Sequence, residues 1–135
     1  TCYNLLLANP PQDAHTLLGT TRFVDHLPDR PNARRLFERL IDALPTASFF
    51  IPTAPVQEYG LTPLDFAPKP SSNWRELFSS SQIQGHLEDL LQRQQPDGGW
   101  PITWDAPGPA SILEWRGRWT LDAILKLVAY GVISP

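Results

Sequence analysis

Apolar residues recur at helical spacing in four stretches of the chain. The first runs from about Asp13 to Leu27, where Leu17, Leu18, Val24 and Leu27 share a face. Asp13 stands where a capping residue belongs, Pro10 and Pro11 precede it, and Pro28 closes it. The second opens with Asp29 as a cap and Pro31 in the first turn. It continues through Ala33, Leu36, Phe37, Leu40, Ile41 and Leu44 at i, i+3, i+4, i+7 spacing until Pro45. Burying each large side chain of that stripe contributes about 1.5–3 kcal/mol before entropy is subtracted. The third spans about Ser81 to Gln95 with Ile83, Leu87, Leu90 and Leu91 on one side. The fourth runs from Arg116 or Thr120 to Tyr130, with Leu121, Ile124, Leu125, Leu127 and Val128 apolar and Gly131 suited to the helix end.

Between the second and third runs the period is lost. Thr46 to Ser72 carries prolines at 52, 55, 63, 68 and 70. Its pieces "SFFIP" and "VQEYGLTPLDF" can be extended, but proline limits any sheet. A connection this long is expected to pack on its own side chains or to serve function. "SSNWRELF" predicts one or two helical turns, with Asn73 and Glu76 at capping-box spacing. Two helices also echo each other. "FERLIDALP", from Phe37, resembles "LEDLLQRQQP", from Leu87, about 50 residues later. "TLLGTTRFV" and "TLDAILKLV" lie about two such periods apart, so repeated helix pairs are expected.

Composition narrows the class. With 135 residues, 41% apolar and 19% charged, the chain suits one globular domain, residues 1–135, with one core. The 15 prolines are about twice the usual share, which makes long stiff connections. A net charge of −3 without a basic stripe argues against nucleic acid as a partner. The single cysteine, Cys2, cannot form an internal disulfide and points to a reducing compartment, the cytoplasm. No apolar run reaches the roughly 20 residues of a membrane span. There is no methionine, and "CYNLLLANPP" reads as the tail of a helix meeting a Pro-Pro stop. The chain is therefore expected to be the C-terminal part of a longer protein.

The segment "QQPDGGWPITW", Gln94 to Trp104, predicts a clasp. Pro96 stops the third helix, and Gly98 and Gly99 let the chain reverse after Asp97. Trp100 can then fold back on the helix it has left, while Gln94 or Gln95 bonds free backbone groups or lies against the indole.

"LLQRQQPDGGW", Leu90 to Trp100, resembles the glutamine–tryptophan repeat of the terpenoid cyclase and protein prenyltransferase superfamily. The repeat's two apolar residues, spacers, Gln and Gly-x-Trp correspond to Leu90-Leu91, Gln95 and Gly98-Gly99-Trp100. Its usual opening of a basic residue and glycine before an aromatic is reduced to Gln84-Gly85. "EWRGRWTLDAILKLVAYG", from Glu114, is similar to the helix that follows such a motif. The C-terminal half of the chain and "YGLTPLDFAP" are also similar to bacterial proteins with prenyltransferase-type repeats. The resemblance implies an all-α fold, an α/α toroid in which inner and outer helices alternate. The chain is long enough for only part of such a ring, so a missing N-terminal region or a second chain is expected to complete it.

The chemistry of that superfamily is carried over incompletely. The acid motif Asp-x-Asp-Asp is missing, and the nearest pair, Glu88-Asp89, falls on a face expected to be solvated. Cys2, His15, His26 and His86 do not reproduce the zinc ligands of prenyltransferases and read as scattered residues, so no metal site is expected. No cofactor is predicted; magnesium enters only through the resemblance. No Gly-x-Ser-x-Gly elbow or phosphate-cradling loop is present. Trp104, Trp115 and Trp119 can wall a site for an apolar isoprenoid chain or a carbocation, or can serve interhelix packing, as Trp100 does in the clasp. Asp65 and Glu114 are the candidate acids, since burial beside Phe66 or Trp115 would raise a carboxyl pKa. Their plainer reading is a cap, or an ion pair with Arg116 or Arg118.

Three functions fit these observations. The first is an isoprenoid-related enzyme, or the non-catalytic part of one, that holds an apolar substrate. The second is a non-enzymatic helical interaction or structural module. The third is an α/α-toroid polysaccharide lyase, suggested by "GGWP" but lacking a clustered basic set.

Overall fold

A computed structural model describes residues 1–135. The chain is all-helical, without a β-strand: α1 (Cys2–Ala8), α2 (Ala14–Asp25), α3 (Arg30–Ala43), the short α4 (Pro63–Phe66), α5 (Ser80–Gln92) and α6 (Gly108–Ala129). Turns of 3-10 helix follow α3 at Leu44–Thr46 and precede α5 at Arg75–Leu77. No helix is long and apolar enough to cross a membrane.

The helix starts follow their caps. The Asp13 carboxylate accepts from Thr16 N at 2.9 Å, and Asp29 accepts from Asn32 N at 3.2 Å. α5 starts with a capping box of Ser79 and Gln82, whereas the turn at Arg75–Leu77 has no side-chain cap and the expected Asn73–Glu76 box does not form. The Asn73 side chain donates instead to Asp25 at 3.0 Å, and "SSNWRELF" supplies only the 3-10 turn. The two pieces expected to be extended meet at one bridge, Phe50 with Leu61. Pro63 then starts α4 because its fixed φ suits a first helical turn.

Two boundaries differ more. α5 ends at Gln92, three residues before the expected Gln95. Pro96 disfavours helical dihedrals at Gln95, and the preceding residues are drawn into the turn. α6 begins at Gly108, more than two turns before the expected Arg116 or Thr120, with Pro109 in its first turn. Gly117 and the charges Glu114, Arg116 and Arg118 break the apolar period there, so the start of this helix is hidden in the pattern.

One core joins the elements. Leu17 of α2 and Leu36 and Leu40 of α3 meet Leu64 and Phe66 of α4, Ile83 and Leu87 of α5, and Ala123 and Leu127 of α6. The proline-rich connection packs on its own aromatics. Phe50 meets Phe66 edge-on at 5.7 Å, and just beyond the connection Trp74 packs on Phe37 of α3 with ring centroids 4.3 Å apart.

The segment from Gln94 to Trp100 closes back on α5. Gly98 N donates to the Gln95 carbonyl and Gln95 N to the Gly99 carbonyl, both at 2.8 Å. Gly98 has φ +85°, open to glycine at little cost, and a Cβ on Gly99 would sit 2.6 Å from the Arg116 guanidinium. That guanidinium bonds the Gln95 side chain at 3.1 Å and Asp97 at 2.6 Å, which ties the turn to α6. Trp100 is 1% exposed. Its indole N–H donates to the Leu90 carbonyl of α5 at 2.6 Å, and its backbone N–H donates to Thr120 Oγ1 of α6 at 3.0 Å. Gln94 reaches the Gly98 carbonyl rather than the indole.

Trp100→Ala should lower unfolding free energy by about 3–5 kcal/mol in urea titrations, a large share of a domain's usual total. Trp100→Phe keeps most of the packing and should cost less. Thr120→Val leaves the Trp100 amide unpartnered and should cost about 1–3 kcal/mol.

Candidate functional site

α6 carries Trp115 and Trp119 one turn apart, and the loop before it brings Trp104 against both. Trp104 meets Trp115 at 5.5 Å and 82°, and Trp119 at 5.6 Å and 86°. Edge-to-face pairs of this kind are favoured by the ring quadrupoles. Tyr59 adds a fourth ring, 5.8 Å from Trp104, and its hydroxyl lies 2.8 Å from Nε2 of His15 on α2. These aromatics wall an open cavity of about 550 Å³ that Arg118, Asp65 and Asp122 also border.

A second, smaller cavity of about 30 Å³ adjoins it, with Asp65, Trp119 and Asp122 lining both. Lys126 of α6 stands in its wall, 8% exposed at the side chain, between Asp65 and Asp122, each at 2.6 Å. Burial pulls the Lys126 pKa down, and the two carboxylates outweigh it, so the amine is held charged above its ordinary value. The ammonium also lies 5.8 Å from the centre of the Trp119 ring. Asp65 is fixed from the other side by Thr62, whose N–H and hydroxyl donate to it at 2.7 and 3.1 Å.

His86 of α5 lines the small cavity and is 2% exposed. Desolvation pushes its pKa below the ordinary value, against the opposing pull of the Pro52 carbonyl and of the charges of Asp89 and Asp65. Its Nε2 is buried without a hydrogen-bond partner in the protein, as is Nε1 of Trp119. Asp89 closes one side, accepting from Val56 N at 3.3 Å and lying 3.8 Å from Arg93.

The residues singled out in the sequence separate clearly. Trp104, Trp115, Trp119 and Asp65 come together at the large cavity. Glu114 borders neither cavity and is exposed, so the acid role weighed for it has no site. Asp65 caps α4 and pairs with Lys126, not with an arginine. Gln95, Asp97, Gly98, Gly99 and Trp100 form the clasp away from both cavities. Asp89 is half-buried and paired rather than solvated, and His86 is interior rather than scattered on the surface. The pattern did carry a signal for His86, which continues the stripe Ile83, Leu87, Leu90 at helical spacing. Lys126 likewise falls between Ala123 and Leu127 on the buried side of α6.

No group of three or more His, Cys, Asp or Glu side chains is placed to hold a metal ion. Magnesium does not fit the nearest carboxylates, because the Lys126 ammonium already occupies the space between Asp65 and Asp122. Compared with protein-family models, curated proteins and solved structures, the chain has no match in any of the three.

The depressed His86 pKa sets a pH dependence. Between the folded value and the ordinary 6.5, the unfolded chain binds a proton that the folded chain refuses. The protein should keep full stability above about pH 6.5 and lose it as pH falls below that value. Thermal unfolding across that range should show the slope in the wild type and lose it in His86→Gln. Asp13 and Asp97, held below their ordinary 3.8, act in a separate and more acidic window.

Proposed function

We propose that the chain is a terpenoid-cyclase-type domain that holds an apolar, isoprenoid-type ligand in the cavity walled by Trp104, Trp115 and Trp119. The observation that carries this reading is the convergence of those three indoles on one cavity of about 550 Å³. Small-molecule sites commonly enclose about 300–1,000 Å³ and are lined by aromatics with a few polar groups. The electron-rich ring faces suit unsaturated chains and cationic centres, whereas a plain packing contact would leave no such space. The clasp built on Leu90 to Trp100 supports the superfamily resemblance, because it joins successive helices through the glutamine–tryptophan segment. The helix pairs α2–α3 and α5–α6 are read as part of an α/α toroid whose remaining helices belong to the longer protein or to a second chain. The role is binding. Among the candidate acids, Asp65 is engaged by Lys126 and Thr62, and Glu114 does not line the cavity.

A saturable change in tryptophan fluorescence on titration with a farnesene-type hydrocarbon is the expected result. Trp104→Ala and Trp119→Ala should each weaken that binding at least about tenfold, the loss of roughly 1.4 kcal/mol. Absence of saturable binding by the wild type overturns the proposal.

The interaction-module reading draws on a different observation. Leu113, Leu121 and Leu125 lie along one side of α6, at steps of one turn through Gly117, and are 68%, 53% and 59% exposed. Such a row marks a surface that another helix can cover. If this is the whole function, Leu121→Lys with Leu125→Lys should abolish self-association in sedimentation, and no apolar ligand should bind.

A further inference from the structure

The smaller cavity contains chemistry that an all-hydrocarbon ligand leaves unused. His86 and Trp119 line it, and each carries a ring nitrogen that is buried and unpartnered in the protein. An unmet buried polar atom is costly and is usually matched by a group that completes it. Nε1 of an indole can only donate. Nε2 of a neutral imidazole accepts in one tautomer and donates in the other. A group that accepts from Trp119 and donates to His86 completes both nitrogens with the His86 ring protonated at Nδ1.

Charge and size limit it further. About 30 Å³ holds one or two water-sized groups, far less than a phosphate or diphosphate. Asp65, Asp89 and Asp122 surround the space, and both cations in its wall, Lys126 and Arg93, are already paired with them. An anionic head would meet those carboxylates, and a cationic head would compete with Lys126.

We infer that the ligand of the aromatic cavity ends in a single uncharged hydroxyl, which enters the small cavity, donates to Nε2 of His86 and accepts from Nε1 of Trp119. The ligand class is an isoprenoid-type alcohol, with its chain along Trp104 and Trp115 and its oxygen past Trp119. This inference rests on the proposed binding of an apolar chain and adds the polar end that the chain must carry.

The test is a matched pair, farnesol and farnesene, titrated from cyclodextrin into the wild type and into His86→Leu, with binding read by tryptophan fluorescence and calorimetry. The wild type should bind the alcohol at least about tenfold more tightly. His86→Leu should bring the alcohol down to the affinity of the hydrocarbon and leave the hydrocarbon unchanged. His86→Gln, whose amide oxygen restores an acceptor, should recover part of the preference. Equal affinity of the wild type for both compounds overturns the inference while leaving the aromatic site in place; a resident water would then be what satisfies the two nitrogens. Binding of neither compound overturns both the inference and the function it rests on. Should His86→Leu fail to fold, the wild-type pair still decides.

Discussion

Trp100 ties two helices together through one residue. Its indole closes the Leu90 carbonyl near the end of α5, its backbone amide holds Thr120 in the middle of α6, and its ring fills the core between them. The end of a helix normally leaves carbonyls free, and here one of them becomes the anchor for the next helix. Fixing Thr120 against Trp100 also fixes the rotation of α6. Trp119, one residue earlier, is turned towards the cavities, and Ala123 and Lys126 follow on the side that meets α4 and α5. The site is therefore set by a contact that lies outside it.

A buried lysine gives the second constraint. Removing an ammonium from water costs several kcal/mol even after relaxation, and attraction to a single carboxylate seldom offsets that. Lys126 has two, on different elements. Asp122 is its neighbour one turn back on α6, whereas Asp65 belongs to α4 and is itself held by Thr62. The pairing thus carries orientation from a four-residue helix in the long loop to the longest helix of the fold. A substitution that removed either acid would leave charge unbalanced beside the two cavities, not merely weaken a surface bridge.

The parts of this structure that were legible in the sequence are those governed by local rules. Asp13 and Asp29 cap where the pattern places them, Pro28 and Pro45 end helices, and the run from Ala33 to Leu44 buries its predicted stripe. The clasp was legible because Pro96, Gly98 and Gly99 leave the chain few other routes. What stayed hidden depends on contacts far apart in sequence. Nothing near Asp65 announces that Lys126, 61 residues on, will reach it. His86 sits on an apolar stripe, and the cavity it lines is formed only when Trp119 and Lys126 arrive from α6. The early turns of α6 escaped for a different reason: their apolar residues face both sides of the helix, so no single stripe forms.

That two-sidedness bears on what the chain is built for. Residues two positions apart lie about 200° apart around a helix, so Trp119 and Leu121 face opposite ways. One side of α6 supplies two cavity walls; the other exposes Leu113, Leu121 and Leu125. A helix that meets solvent on one side is usually polar there, and one that is apolar on both sides usually stands inside a larger helical body. An inner wall of a toroid and a docking helix of an interaction module would both need such a rod. They differ in what the opposite side encloses. A module needs only contact surface, and contact surface has no use for a cluster of indoles bordering open space beside a polar, partly unsatisfied cavity. The ligand-holding reading accounts for both sides of α6, and the docking reading accounts for one.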